Sequence, residues 1–346
     1  MTESPYWPNP VRRPRRLRRS EAVRRLVCET RLTPDRLVLP QFIMDGRDRS
    51  EAIPPMPGRF RLSIDRAVAE CREAIKLGVH AFVLFPLIDA AKKTNDGREA
   101  LNPENLLCRA VRAVKVACPD ACIVTDVALD PYSSVGHDGL VSEHGVVLND
   151  ETVEVLAKMA VVHAEAGADI VAPSDMMDAR VAAIREALDK SGFKDTAILS
   201  YTAKYASAFY DPFREALDSA PVEAPNVPGD KKSYQMNPAN AREAQVEAML
   251  NEAEGADILM VKPALPYLDV ITRLRAQTAL PIAAYQVSGE YAMIKAAAKN
   301  GWLDERRAMT ETLTAIARAG ADIILTYAAL DYARWWRDSL AVTHKG

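Results

Sequence analysis

No stretch of this 346-residue chain approaches the ~20 consecutive apolar residues of a membrane-crossing helix, so no segment is read as a membrane span. Cysteine is scarce. Cys28, Cys71, Cys108, Cys118 and Cys122 are an odd number in a long chain, which fits free thiols in a reducing compartment rather than a disulfide framework. Only Cys118 and Cys122 stand close together, and they read as a loop running into a strand. A charge excess of one sign is also missing: 44 basic against 47 acidic side chains leave a net charge of -3, which argues against general affinity for nucleic acid or membrane. No glycine-rich phosphate loop follows the first apolar run, which counts against a doubly wound nucleotide-binding sheet. The basic start is not followed by the apolar run of a secretory leader. Glu3, Glu21 and the prolines at 5, 8, 10 and 14 speak against an organelle transit peptide, and a cytoplasmic location is expected.

What the start does hold is arginine, at positions 12, 13, 15, 16, 18, 19, 24, 25 and 31. Residues 1–33 are read as an Arg/Pro-rich extended arm that packs on a neighbouring subunit of a homo-oligomer. Residues 34–346 are read as a single domain. Short apolar runs at Leu37–Met44, 81–87, 122–129, 168–174, 196–204, 257–263, 281–288 and 321–329 are apolar almost throughout, as strands covered on both faces are. Helical patterns lie between them at 63–77, 102–117, 150–166, 179–191, 240–254, 268–278, 290–300 and 304–319. The triplet Gly-Ala-Asp recurs at 167–169, 255–257 and 320–322, each time between a helical stretch and a strand, where glycine closes a helix. Eight such units predict an α/β fold of the (β/α)₈ TIM-barrel type.

Barrel active sites form at the C-terminal ends of the strands. Those ends carry Asp126, Ser174 and Asp175, Lys204, Lys262, Ser288 and Tyr327. A lysine in an apolar strand is costly to bury as an ammonium; burial or a neighbouring cation favours the neutral amine, which attacks carbonyls. Two on adjacent strands point to Schiff-base chemistry. A class I aldolase is the alternative, but it needs only one such lysine. The long stretches 130–149 and 205–238 follow strands 3 and 5; the second is read as an active-site lid.

Four segments carry a resemblance. The run Tyr201-Thr202-Ala203-Lys204-Tyr205-Ala206-Ser207-Ala208-Phe209-Tyr210 resembles an active-site signature of the porphobilinogen synthase (5-aminolevulinate dehydratase) family. Met260-Val261-Lys262-Pro263, Tyr285-Gln286-Val287-Ser288-Gly289-Glu290-Tyr291-Ala292 and Ala172-Pro173-Ser174-Asp175-Met176-Met177-Asp178 are similar to three more. The resemblance implies condensation of two 5-aminolevulinate molecules with loss of two waters. Lys262 would hold the substrate that supplies the propionate side of the product, Lys204 the one that supplies the acetate side, and Asp126 would join them in catalysis. Ser288 and Tyr327 would bind the first carboxylate, and Arg214, Gln235 and Lys231 the second. The family commonly carries arginine where this chain has Lys231, which keeps the charge but not the bidentate fork.

Zinc-dependent members of the family carry three cysteines where this chain has Ala128, Asp130 and Asp138. Thiolates select zinc and carboxylates suit Mg²⁺, so no zinc is expected. Either Mg²⁺ meets Asp130 and Asp138, with His137 between them, or the site works without metal. The resemblance also implies an allosteric Mg²⁺ at Glu247 and an octamer or hexamer. No organic cofactor, nucleic-acid partner or membrane partner is expected.

Overall fold

The computed structural model describes residues 12–343, with side chains to residue 340. Eight parallel strands, β1 Leu37–Met44, β2 Ala81–Pro86, β3 Cys122–Val127, β4 Ile170–Pro173, β5 Ala197–Lys204, β6 Ile258–Lys262, β7 Ile282–Gln286 and β8 Ile323–Thr326, follow one another around a sheet. β8 then pairs with β1 through Leu37 with Ile324 and Val38 with Leu325. The sheet is therefore closed, and the expected (β/α)₈ barrel is what forms. Around it run α1 Ile64–Lys76, α2 Leu106–Ala117, α3 Asn149–Glu165, α4 Arg180–Lys190, α5 Arg242–Ala253, α6 Leu268–Gln277, α7 Ser288–Lys299, α8 Glu305–Ala319 and α9 Ala329–Thr343.

The strands form where the sequence is apolar on both faces. All eight residues of β1 are buried, and so are all five of β6, including Lys262. Each helix turns a narrow apolar stripe inward; in α1 it is Ala67, Cys71 and Ala74, spaced for one helix face. Side-chain caps fix several starts: Asn105 accepts from Cys108 N at 2.9 Å and Asp304 from Arg307 N at 2.7 Å. Both satisfy an amide that the first helical turn leaves without a partner.

The Gly-Ala-Asp triplet has a second use that the sequence did not disclose. Its aspartate reaches the backbone N–H at the start of the preceding strand. Asp169 accepts from Ile123 at 2.7 Å, Asp257 from Ile198 at 2.7 Å and Asp322 from Ile282 at 2.9 Å. The glycine at 320, with φ +122, closes α8 where an added Cβ would sit 2.8 Å from the Arg275 side chain.

Three features depart from the expected elements. A hairpin, Ser50–Ala52 with Phe60–Ser63, is inserted after β1, and its second strand pairs with β1. Ser288 is not the end of a strand but the first residue of α7. Strand 8 stops at Thr326, and a helix starts at Ala329. At the start of the chain, residues 12–31 form a 3₁₀ turn at Pro14–Arg18 and a short helix at Glu21–Leu26, and none of them is buried. Leu32, near the end of the expected arm, is buried, and residues 1–11 lie outside the described residues.

Candidate active site

Lys204 and Lys262 close their strands in matching register, Cα partner to Cα partner on β5 and β6. Both are buried, at 6% and 7% exposure, yet their surroundings differ. The Lys204 ammonium donates to Asp138 Oδ2 at 3.0 Å and to the Ser174 carbonyl. Lys262 Nζ lies instead among aromatic rings, 4.7 Å from the centroid of Tyr285, 5.0 Å from Tyr201 and 5.2 Å from both Tyr210 and Phe213. Among the described residues no carboxylate forms an ion pair with it. Burial, with the Lys204 charge beside it, brings Lys262 down to about 7 from the usual lysine range, against the pull of Asp126, Asp130 and Asp138.

The carboxylates are sorted in the same way. Burial would raise Asp138, but the Lys204 and Lys231 ammonium groups on its two oxygens outweigh it and hold the carboxyl well below the usual range. Lys231 Nζ sits 2.7 Å from Asp138 Oδ1 and 3.5 Å from Asp130 Oδ2. Burial opposes its charge, yet these two carboxylates raise it above the ordinary lysine value. Asp126 goes the other way: burial and the Asp130 charge push it up to about 7, opposed by Lys204 and Lys262. Its Oδ1 is buried without a partner.

The remaining expected residues divide. Tyr327 joins the Lys262 pocket, its hydroxyl 2.8 Å from that of Tyr285. Ser288 joins through the lid: its Oγ accepts from Phe213 N at 3.0 Å and donates to Phe209 O at 3.3 Å. Arg214, on the lid helix Asp211–Leu217, lies over Tyr210 at 5.9 Å. Gln235 is buried with its side-chain oxygen unpartnered. Glu247 is elsewhere. It lines a cleft of about 570 Å³ with Asp178, Glu243 and the outer side of the lid at Tyr234 and Met236.

Asp130 and Asp138 do not fit a Mg²⁺ site as placed, because the Lys231 ammonium already bridges them. His137 is no ligand there either, since its ring nitrogens meet Tyr234 Oη at 3.0 Å and Pro228 O at 2.8 Å, tying the lid to the loop after β3. Glu247, Glu243 and Asp178 line one cleft, although among the described residues no three acidic, imidazole or thiol groups come together closely enough to hold a metal ion. Burial first, then Asp178 and Glu243, raise the Glu247 carboxyl against the pull of Arg180, so a cation would relieve it.

The aromatic cage is what sequence reasoning missed. Tyr201 and Tyr210 stand in the segment of Lys204 and Tyr285 in that of Ser288, but nothing in their spacing says that they meet Phe213 over one Nζ.

Comparison with known proteins gives the family. A family model described as delta-aminolevulinic acid dehydratase matches residues 11–335. The chloroplastic delta-aminolevulinic acid dehydratase of Selaginella martensii is 59% identical over 324 residues, covering 93% of this chain and 76% of the relative. The enzyme of the same name from Bradyrhizobium diazoefficiens is 55% identical over 317 residues, covering 92% and 88%. The crystal structure of the Toxoplasma gondii enzyme, in complex with its reaction product porphobilinogen, superposes with a TM-score of 0.95 at 50% identity, covering 98% of this chain and 96% of that one. The chain belongs to the delta-aminolevulinic acid dehydratase (porphobilinogen synthase) family.

Proposed function

We propose that the porphobilinogen synthase reaction of this chain, a step of tetrapyrrole biosynthesis, runs through Schiff bases at Lys262 and Lys204. The observation that carries the assignment is the register-matched pair of buried lysines, one caged by rings and the other paired with Asp138. Near pH 7 a good share of Lys262 is free amine, ready to attack the ketone of a first 5-aminolevulinate. Lys204 must leave Asp138 before it can do the same, so it acts second. Asp126, poised near 7, exchanges protons with the reacting groups, since an acid or base works best with a pKa near the working pH. One C–C and one C–N bond form between the two substrates, and both ketone oxygens leave as water.

Ser288 and Tyr327 bind the first carboxylate. Arg214, Gln235 and Lys231 bind the second, through the guanidinium of the half-buried Arg214, the Lys231 ammonium and the N–H donors of the buried Gln235 amide. Glu247 would hold a Mg²⁺ ion that keeps most of its waters, as that ion usually does. The enzyme is a homo-oligomer of octamer or hexamer type, and its five free cysteines support a reducing, cytoplasmic setting.

Borohydride reduction in the presence of 5-aminolevulinate, followed by peptide mapping, tests the core of the proposal. Both lysines become labelled in the native enzyme. Lys262→Ala loses turnover by about 10⁴-fold or more, as deletion of a covalent nucleophile does. Lys204→Ala is equally inactive yet is still labelled at Lys262. Labelling of neither lysine in the native enzyme overturns the mechanism.

A further inference from the structure

We propose that Arg61 and Lys93 are positioning residues for the second substrate: they latch the C-terminal end of the lid helix and so hold Arg214 over the site. This rests on the reading of Arg214 given above. The helix Asp211–Leu217 has seven residues, too few to persist unaided, so its placement depends on what holds its ends. Its last carbonyls point away from any helical partner, and two cations from other βα segments take them. Arg61 Nε donates to Ala216 O at 2.7 Å, and its Nη2 donates to Glu215 O at 2.8 Å. Lys93 Nζ donates to Asp218 O at 2.5 Å and lies 3.3 Å from Asp218 Oδ2. Positive charge at a helix C-terminus is favourable, and the Arg61 fork spans two successive carbonyls in one rigid plane, where a lysine would offer a single flexible ammonium.

The latch is anchored in the barrel. Arg61 lies in the inserted strand Phe60–Ser63, where it pairs with Phe42 of β1, and Lys93 follows β2. A third hold comes from the loop after β3, where Val222 N donates to Val135 O at 3.2 Å. There Gly136, with φ +72, lets the lid backbone come so near that an added Cβ would be 2.1 Å from Ala220 O. The opposite end of the lid helix is tied by Phe213 to Ser288. Releasing the Arg61 end therefore lets Arg214 swing while the Lys262 pocket stays walled by Tyr201 and Tyr285.

The test compares Arg61→Ala, Arg61→Lys and Lys93→Met with the native enzyme. The 5-aminolevulinate concentration for half-maximal turnover should rise about tenfold or more in Arg61→Ala, the scale of a lost hydrogen bond to a charged group. It should rise less in Arg61→Lys and also rise in Lys93→Met. Borohydride labelling of Lys262 at saturating substrate should stay native, and glutamyl endoprotease should cut faster after Glu223. An unchanged half-saturation together with unchanged cleavage in both Arg61→Ala and Lys93→Met overturns the latch. So does loss of Lys262 labelling in both, which would mean that these residues hold the barrel rather than the lid. If the native enzyme is labelled at neither lysine, the Schiff-base reading fails on its own, and lid cleavage alone decides the latch.

Discussion

A buried lysine brought down to about 7 sits in a site that gives up stability for reactivity. In the unfolded chain Lys262 keeps its proton up to its ordinary value of 10.5, whereas the folded chain releases it near 7. Between those values the unfolded state binds more protons, so the Lys262 contribution to stability improves as pH rises through that window. Each unit of depression corresponds to about 1.4 kcal/mol. Lys262→Met should therefore be inactive yet melt higher than the native enzyme at pH 7, with the advantage shrinking towards pH 10. Thermal unfolding of both proteins at the two pH values checks this, and a mutant that melts lower at pH 7 contradicts it. Turnover of the native enzyme should fall below pH 7, as Lys262 takes up its proton. Lys231 shows how a neighbour can replace a missing fork: a single ammonium between Asp130 and Asp138 needs no second donor arm, so lysine is adequate there.

The eight strands were legible because each is buried on both faces and reads as an unbroken apolar run; β1 and β6 are buried at every position. Their ends were less legible. The apolar sequence runs on past Thr326 through the buried Tyr327, Ala328 and Ala329, so nothing marks where β8 stops and α9 begins. The inserted hairpin is short and partly exposed, which leaves no hydrophobic period to read. Ser288 and Tyr327 were found as polar residues near strand ends, although each lies just beyond its strand. The cage around Lys262 takes Tyr210 and Phe213 from a lid that folds back from 205–238, and that return leaves no local trace. That lid needs a bare backbone beneath it: a Cβ on Gly289 would sit 2.7 Å from Phe209 O and 2.8 Å from Phe209 Cα. Gly289→Ala should cost about 1–3 kcal/mol, as overpacking does, and should slow turnover by displacing the Ser288–Phe213 bond while Lys262 remains trappable. Denaturant unfolding and borohydride labelling measure the two effects separately, and native turnover in the variant would show that the lid tolerates the shift.

Closure of the sheet by β1 and β8 makes the barrel complete without its first residues, and none of residues 12–31 is buried, which leaves their surface open to a neighbouring subunit. Deleting residues 1–31 should shrink the oligomer and lower turnover with every proposed catalytic side chain still present. Light scattering and activity decide it, and an unchanged assembly with unchanged turnover removes the arm from the account. The barrel interior also determines how the molecule meets alkali. All ten described tyrosines, from Tyr132 to Tyr332, have hydroxyls pushed above the usual phenol value of 10.0, chiefly by burial. A group raised in the native state adds stability that is full below its unfolded value and is lost as pH climbs through its folded one. An optical titration should then show almost no phenolate absorbance where free tyrosine is already ionised, followed by one steep, time-dependent rise as the barrel opens and its phenols ionise together. The enzyme's own chromophores would report its alkaline unfolding without any added dye.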